Sequence, residues 1–302
     1  MLSIYTIILN YNNFKDTYEC VDSLSHLEKA NMFNHKIIIV DNASTDGSGA
    51  KLKHIFGDTV IYLQNDVNSG YAAGNNLGIK YALEKNADYI CVLNNDTLVE
   101  NDFYFECINY LNENEDVGFV SPVIENFNNN LVQSTGGDIV FRKGLVTVKN
   151  NGAVREKLSP IIESDYIGGA CMVFKAELIK KIGFIPENYF LFFEETEWCW
   201  KAKTRGMRNL CLSSVYIKHK GSASIDTVTG LHAYLMERNR VVFLRRNSPN
   251  YIIYIRALIY LTIKYIKKGL IENRKYFKYL KYMNDGRRNI VDKHYPFVYI
   301  RN

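Results

Sequence analysis

Short apolar segments alternate with polar, helix-compatible segments over the first hundred residues, and this alternation constrains the fold most strongly. The apolar runs cover residues 3–9, 36–40, 60–63 and 88–93, and helical spacing is found over 14–27 and 71–85. Continuous β-branched runs are typical of strands that are buried on both faces of a parallel sheet. The pattern therefore predicts an open, doubly wound α/β sheet.

Polar clusters follow each of these predicted strands. They cover residues 10–13, 41–48, 68–76 and 94–97. In an open α/β sheet, ligands bind beyond the carboxyl ends of the strands. The clusters therefore predict a single site at one edge of the sheet.

The residue types in these clusters suggest what such a site could bind. Asp41 could accept a hydrogen bond from the imide N–H of uracil or thymine. The carboxylate of Asp96 and the amide oxygens of Asn94 and Asn95 are ligands that suit Mg²⁺ or Mn²⁺ on a diphosphate. His219 ends a later predicted strand and could add an imidazole ligand. Each cluster taken alone is also explained by side chains that hydrogen-bond to turn backbone.

The segment Phe190–Trp200 places Glu194, Glu195 and Glu197 inside a run of aromatic residues. Apolar surroundings raise the pKa of a carboxyl group, which suits a general base. The alternative is the first turn of an amphipathic helix, where acidic side chains oppose the helix dipole. The segment alone leaves both interpretations open.

The bulk composition indicates an ordinary globular chain of 302 residues. Its six cysteines show no Cys-x-x-Cys spacing, which argues against a zinc site or a disulfide framework and fits a reducing compartment. The N-terminus has no basic region and no small-residue cleavage site, so it is predicted to be a strand and not a signal peptide. A cytoplasmic location is expected.

The C-terminal segment differs in charge from the rest. Residues 251–302 hold 12 Lys and Arg against 3 Asp and Glu, whereas the first 250 residues are mildly acidic. On a helical wheel the basic side chains fall within an arc of roughly 140°; these are Arg256, Lys264, Lys267, Lys268, Arg274, Lys275, Lys278 and Lys281. The uncharged runs are too short to span a bilayer. Two interpretations weigh equally: peripheral binding to an anionic membrane surface, on the inner face of the cell membrane, or a pair of packed helices with a solvated basic face.

In order, the clusters resemble the motifs of family 2 inverting glycosyltransferases of the GT-A fold. The most similar subgroup is the rhamnosyltransferase-like one, which builds bacterial surface polysaccharides. The resemblance covers about residues 3–246, and its motifs are Thr6–Asn12, Val40–Ser48, Asn68–Gly78, Leu93–Thr97, Gly168–Met172, Phe192–Trp200, His219–Ala223 and Glu237–Arg240.

The resemblance implies a domain organisation and a role for each matching residue. Residues 1–235 would form the GT-A domain, an α/β fold with a mixed, largely parallel sheet flanked by helices, with a nucleotide-binding half (1–100) and an acceptor-binding half (101–235). Residues 236–302 would form a basic amphipathic helical extension. Glu195 would be the catalytic base, with Glu194 and Glu197 as alternates. Asp96 and His219 would bind Mn²⁺ or Mg²⁺, with Asn94 as a further candidate ligand. The nucleotide would contact Thr6, Leu9, Asn10, Tyr11, Asp41, Ser44, Gly70, Asn75 and Asn95, and the sugar or acceptor would contact Gly168, Gly169 and Trp198.

Two departures from the family pattern are visible. Asn94 replaces the first Asp of the metal motif, which puts metal dependence in question. Glu195 replaces an Asp, which leaves the neighbouring acids open as the base. A catalytically degenerate module that binds a membrane or a partner is therefore kept as the alternative function.

The resemblance implies a dTDP-rhamnose or UDP-sugar donor and a glycan or polyprenyl-diphosphate-linked acceptor. No nucleic-acid partner is expected, and a homodimer is left open. A nucleotide-cofactor oxidoreductase is disfavoured, because no Gly-x-Gly-x-x-Gly turn follows the first strand and no P-loop is present.

Overall fold

The computed structural model describes residues 1–27, 32–221 and 230–288. The chain divides into two compact units, each described separately below. The first is a sheet unit, formed by Met1–Asp138, Val148–Phe190 and Glu194–Gly221. The second is a helical unit, formed by Ile139–Thr147, Leu191–Phe193 and the chain from Ser222 onward. The predicted first domain, residues 1–235, included two short segments that lie in the helical unit, Ile139–Thr147 and Leu191–Phe193.

Among the described residues, ten strands form the main sheet. They are β1 (Ser3–Asn10), β2 (Asn34–Asp41), β3 (Ile61–Gln64), β4 (Tyr89–Asn94), β5 (Thr97–Leu98), β6 (Val117–Asn126), β7 (Val132–Ser134), β10 (Ile161–Ser164), β11 (Cys171–Lys175) and β12 (Arg208–His219). Two further strands, β8 (Ile139–Val140) and β9 (Leu145–Val146), pair with each other in the helical unit. The helices are α1 (Phe14–Ser25), α2 (Ser48–Phe56), α3 (Gly70–Glu84), α4 (Phe103–Glu113), α5 (Leu178–Ile182), α6 (Glu194–Lys203), α7 (Leu231–Asn247), α8 (Tyr251–Ile271) and α9 (Phe277–Arg288).

The main sheet is mixed, and the four strands β1 to β4 from the N-terminal part of the chain are parallel. The strand order is β10-β12-β6-β11-β4-β1-β2-β3. β3, β2, β1 and β4 run parallel, whereas β11 enters antiparallel between β4 and β6. The four predicted strands and the largely parallel sheet are therefore confirmed, and the antiparallel insertion is a feature that the periodicity did not predict.

Side chains of β1 alternate between two helical layers. Ile4 and Ile8 pack in the core cluster that also contains residues of α1 and α4. Ile7 and Leu9 point to α3, where a Cβ at Gly78 would lie 2.6 Å from Ile7 and one at Gly74 would lie 2.4 Å from Leu9. The glycines every four residues in α3 therefore let this helix approach β1 closely. All six cysteines are free and buried, as predicted for core residues.

The helical unit is held together by close packing among its own elements. Gly144 follows a short 3-10 turn and lies against Leu244 of α7 and Leu261 of α8. Gly286 of α9 approaches the backbone of α7, where a Cβ would lie 2.4 Å from the Arg238 carbonyl oxygen. None of the helices in the described part of the chain combines the length and the apolar character needed to span a bilayer.

Candidate active site

The polar network at the ends of β1 and β2 is centred on Asp41, which is almost fully buried. Asn10 donates to its Oδ1 (2.7 Å), as does the Ser44 hydroxyl (2.6 Å). The Ser44 backbone N–H (3.1 Å) and Gln64 Nε2 (2.9 Å) donate to Oδ2. A carboxylate offers about four acceptor positions, and all are used here. The Asp41 carboxylate is therefore fully hydrogen-bonded to its own chain.

The network continues from Asp41 towards the end of β4. Asn10 Nδ2 also donates to Ser48 Oγ (3.0 Å), and Asn10 Oδ1 lies 2.8 Å from Thr17 Oγ1. Thr17 Oγ1 in turn accepts a hydrogen bond from Asn95 Nδ2 (2.8 Å). The predicted residues Asn10, Ser44 and Asn95 are thus joined in one network. Thr17, Ser48 and Gln64 were not predicted, because hydroxyl and amide side chains in turns and helix starts are too common to single out.

Asp96 and His219 lie together at the same edge of the sheet. β5 pairs antiparallel with the end of β12, with Thr97 opposite His219. This pairing brings His219 Nε2 to 3.1 Å from Asp96 Oδ1. The second ring nitrogen, Nδ1, lies 2.6 Å from Gln133 Oε1 on β7. With Gln133 Oε1 as the acceptor, Nδ1 carries a proton, and in the neutral imidazole Nε2 would then be available to a cation.

This pair fits a divalent cation. His219 Nε2 is buried and lies 3.1 Å from the Asp96 carboxylate oxygen. Two adjacent ligands in an octahedral site with bonds of about 2.1 Å are separated by about 3.0 Å. Among the described residues no group of three or more His, Cys, Asp or Glu side chains forms a metal cluster. The remaining ligands would therefore come from diphosphate oxygens or water. Asn94 ends β4 and is half-buried.

The three acids of the aromatic segment lie in the first turn of α6, which begins at Glu194. The predicted helix start and the predicted general base therefore lie in the same turn. Glu194 and Glu197 are each 1% exposed, whereas Glu195 is half-buried. Glu197 accepts a hydrogen bond from the Tyr189 hydroxyl and lies 3.4 Å from Lys201 Nζ. Glu195 is thus the acid of the three with the greatest exposure to solvent.

Glu195 packs against Gly169 and Tyr71. A Cβ at Gly169 would lie 3.5 Å from Glu195 Cγ and 3.3 Å from the Tyr71 hydroxyl oxygen. That hydroxyl donates to the Gly169 carbonyl oxygen (2.8 Å). Burial raises the pKa of Glu195, and hydrogen bonds from its own backbone and from Thr196 act in the opposite direction. Burial, followed by the nearby Glu195 charge, raises the pKa of Tyr71, so Tyr71 remains a neutral donor.

A backbone hydrogen bond joins the segment that packs against Glu195 to the end of β4. The Asn94 N–H donates to the carbonyl oxygen of Ala170 (2.9 Å), which directly follows Gly169. Glu195 therefore lies at the same edge of the sheet as the Asp96–His219 pair. Gly168 lies beside Gly169 and is half-buried.

The loop that precedes α6 is strained. Phe190, Phe192 and Phe193 have φ angles of 72°, 70° and 77°. Such angles are unfavourable for bulky residues, at about 1–3 kcal/mol each, and they concentrate at functional sites. The Phe190 carbonyl oxygen accepts the Tyr71 N–H (2.8 Å), and a Cβ at Gly70 would lie 2.3 Å from that oxygen. Gly70 has a φ of 85°, so backbone geometry and this close approach both explain why glycine occupies this position. The same residue was predicted to contact the nucleotide.

Within the helical unit, Asn239 fixes the middle of the same loop. Its side-chain nitrogen donates to the carbonyl oxygens of Leu191 (2.7 Å) and Phe192 (3.0 Å). Asn239 is fully buried in α7 and belongs to the motif Glu237–Arg240. Neither the loop strain nor this contact has a signal in the sequence.

Two predicted site residues lie in the core. Trp198 is fully buried, packs on Phe119 and Phe174, and donates Nε1–H to the Gly183 carbonyl oxygen (2.9 Å). It presents no surface to a sugar, because α6 turns this face inward. Thr6 is also fully buried in the middle of β1, where its hydroxyl hydrogen-bonds with Tyr104 (2.7 Å) and His35 (3.0 Å). It lies four residues, or about 13 Å, before the end of the strand.

Three further residues were predicted to contact the nucleotide, and they lie in or beside β1 and in α3. Leu9 is half-buried against α3, and Tyr11 directly follows β1 and is half-buried. Asn75 is buried in α3, where its Nδ2 donates to the Tyr71 carbonyl oxygen (3.0 Å). Its Oδ1 accepts no hydrogen bond in the described part of the chain. Buried polar atoms without a hydrogen-bond partner are uncommon in folded proteins.

Comparison with known proteins decides the family. Residues 5–183, more than half of the chain, match the model described as glycosyl transferase family 2. The chain belongs to this family. It is therefore a glycosyltransferase, as the motif order implied.

Relatives of known name agree with this assignment. The low-salt glycan biosynthesis hexosyltransferase Agl10 of Haloferax volcanii is 26% identical over 247 residues, which is 80% of this chain and 75% of the relative. The dTDP-rhamnosyl transferase RfbF of Shigella flexneri is 25% identical over 272 residues, which is 85% of each chain.

A solved structure shows the same fold. The mannosyltransferase PcManGT of Pyrobaculum calidifontis, solved with GDP-Man and Mn²⁺, superimposes with a TM-score of 0.57 at 16% identity, over 96% of this chain and 87% of the other. The predicted GT-A fold with C-terminal helices is confirmed.

Proposed function

We propose that this glycosyltransferase moves a sugar from a nucleoside-diphosphate donor to a hydroxyl group of a glycan or lipid-linked acceptor, with inversion at the anomeric carbon. The observation that carries the proposal is the placement of a half-buried Glu195 and the Asp96–His219 pair at one edge of the sheet. The proposed donor is dTDP-rhamnose or a UDP-sugar. A relative named as a dTDP-rhamnosyl transferase supports the first.

The nucleotide is proposed to bind along the Asp41–Asn10–Thr17–Asn95 network. Asp41 would accept the imide N–H of the base, and Asn95 lies at the diphosphate end of the network, next to Asp96. Asp96 and His219 would hold Mn²⁺ or Mg²⁺. A cation there would neutralise the charge that develops on the departing diphosphate.

Glu195 is proposed to act as the general base. The acceptor hydroxyl oxygen forms a bond to the anomeric carbon while the bond from that carbon to the diphosphate oxygen breaks, and the hydroxyl proton moves to the Glu195 carboxylate. The product is the glycosylated acceptor, and the nucleoside diphosphate is released. A single displacement by one base inverts the anomeric configuration. A panel of dTDP-, UDP- and GDP-linked sugars with polyprenyl-diphosphate-linked acceptors tests the proposal, and transfer from none of them would refute it.

The pH dependence of transfer should report the burial of Glu195. Its carboxylate form is the active base, and burial raises its pKa above the usual 4.5. We expect kcat/KM to fall as the pH decreases, with the midpoint of this fall above pH 4.5. The measurement is the initial rate of transfer at a subsaturating donor concentration between about pH 4 and pH 8, at intervals of about half a pH unit. A rate that stays constant down to the usual glutamate pKa would show that Glu195 is not the titrating base.

Gln133 should position His219 for metal binding. Replacing it by Ala removes the acceptor of the Nδ1 proton, so we expect Mn²⁺ affinity to fall about 10–100-fold. Calorimetric titration of Mn²⁺ in the presence of UDP measures this directly, without turnover.

The matched variant for this test is Gln133→Glu. Its carboxylate can accept the same Nδ1–H, so it should retain Mn²⁺ affinity. Equal affinities in wild type, Gln133→Ala and Gln133→Glu would show that the contact at 2.6 Å does not orient the ring for metal.

A further inference from the structure

One face of α8 is an exposed row of aliphatic side chains, called here the α8 stripe: Ile252, Ile259, Ile263, Ile266 and Leu270. These side chains are between 40% and 74% exposed. At about 100° per residue they fall within an arc of about 60°. The stripe is about 27 Å long, from the 1.5 Å rise per residue. A continuous row of this kind on a protein surface marks an interaction site.

The opposite face of α8 is buried, so the stripe is not its packing face. Ala257, Leu261 and Tyr265 lie on the inner side and are at most 3% exposed. α8 is therefore apolar on two faces, and within the described part of the chain only one of them is a packing face. The sequence prediction of packed helices with a solvated basic face does not account for the stripe.

The charges beside the stripe identify the partner. Arg256 and Lys267 are exposed and lie on one side of the stripe, about 50–70° from its centre on the helical wheel. Residues 251–271 contain no Asp or Glu. Two copies that paired through this face would bring the basic side chains of its one flank close together, with no acidic residue of α8 to neutralise them. An anionic lipid surface satisfies both the apolar row and its basic border.

We propose that the α8 stripe inserts into the interfacial region of an anionic bilayer, with Arg256 and Lys267 against lipid headgroups. α8 would lie in the plane of the membrane, in keeping with the absence of a spanning helix from the described residues. This inference does not depend on the identity of the donor or on the catalytic base.

Vesicle co-sedimentation tests the proposal with the full chain. Wild-type protein should bind vesicles that contain phosphatidylglycerol and should bind pure phosphatidylcholine vesicles much more weakly. The double variant Ile259→Glu/Ile263→Glu should bind the anionic vesicles at least tenfold more weakly, because each side chain loses its apolar burial. Arg256→Ala/Lys267→Ala should weaken binding about 25-fold, at about fivefold for each basic side chain.

The matched control is Ile55→Glu/Val148→Glu, which introduces the same two charges at positions 49% and 53% exposed. It should bind anionic vesicles as the wild type does. An equal loss in the control and stripe variants would show a general charge effect and overturn the proposal. All substituted side chains are exposed, and unchanged circular dichroism and Tm would confirm folding.

A second copy of the chain could also cover the α8 stripe, and sedimentation velocity distinguishes this self-association from membrane binding. We expect the wild type and Ile259→Glu/Ile263→Glu to give the same molecular mass in solution. A wild-type dimer that the double variant dissociates would assign the stripe to self-association and overturn the membrane proposal.

Discussion

Replacing Glu195 by Gln is expected to lower the rate of sugar transfer by about 10²–10⁴-fold, the usual contribution of a positioned general base. The amide has nearly the same shape as the carboxylate but cannot take the acceptor proton. Its neighbours Gly169 and Tyr71 should accommodate it without rearrangement. The loss should be in kcat, and the affinity for nucleoside diphosphate should be unchanged. Transfer rate and calorimetric binding of UDP or dTDP are the measurements.

The neighbouring acids provide the controls for Glu195. Glu197→Gln weakens the contacts with Tyr189 and Lys201, so it should lower Tm and leave substantial transfer in the folded protein. Glu194→Gln should likewise retain transfer. If Glu195→Gln transfers sugar at nearly the wild-type rate while one of these variants does not, the base is the other acid.

Replacing Asp96 by Asn is expected to lower transfer by at least about 10²-fold, because charge neutralisation by a metal is worth several kcal/mol in the transition state. The variant should also lose the effect of Mn²⁺ on nucleotide affinity. An amide opposite His219 Nε2 at 3.1 Å offers a weaker metal ligand than a carboxylate. Titrations of UDP or dTDP with and without Mn²⁺ measure this, alongside transfer rates.

The control for Asp96 is Glu100→Gln, which removes a carboxylate four residues away. Glu100 is exposed and lies 3.0 Å from Lys218 Nζ, and an exposed pair of this kind contributes little. It should leave both metal dependence and rate unchanged. A Mn²⁺ response that persists in Asp96→Asn would remove Asp96 from the metal site, and the departure at Asn94 would then count against metal dependence.

The sequence predicted what depends on local pattern. The buried runs of β1, β2 and β4 and the polar residues at their ends follow from hydrophobic periodicity and turn chemistry. Because parallel strands end at one edge, the predicted approach of Asp41, Asn10 and Asn95 was found. Asp96 and His219 were also found together, although their approach depends on the long-range pairing of β5 with β12.

What the sequence missed depends on contacts between distant segments. Gln133 contacts His219 across 86 positions of the chain, and nothing local distinguishes it from other polar residues on a strand. The resemblance implied that Trp198 contacts the sugar or acceptor, but the rotation of α6 places it in the core. The wheel of α8 separated basic from apolar residues, but it could not show which apolar face would be buried. The left-handed backbone at Phe190 is likewise imposed by tertiary contacts, since no local preference favours it.

The anomeric configuration of the product tests the central claim most directly. NMR of the glycoside formed from an isotopically labelled sugar nucleotide and a lipid-linked acceptor gives this configuration. The account predicts inversion relative to the donor, and predicts that Glu195→Gln forms little of this product. Retention of configuration would contradict the single displacement, and nucleotide binding without any transfer would favour a non-catalytic module.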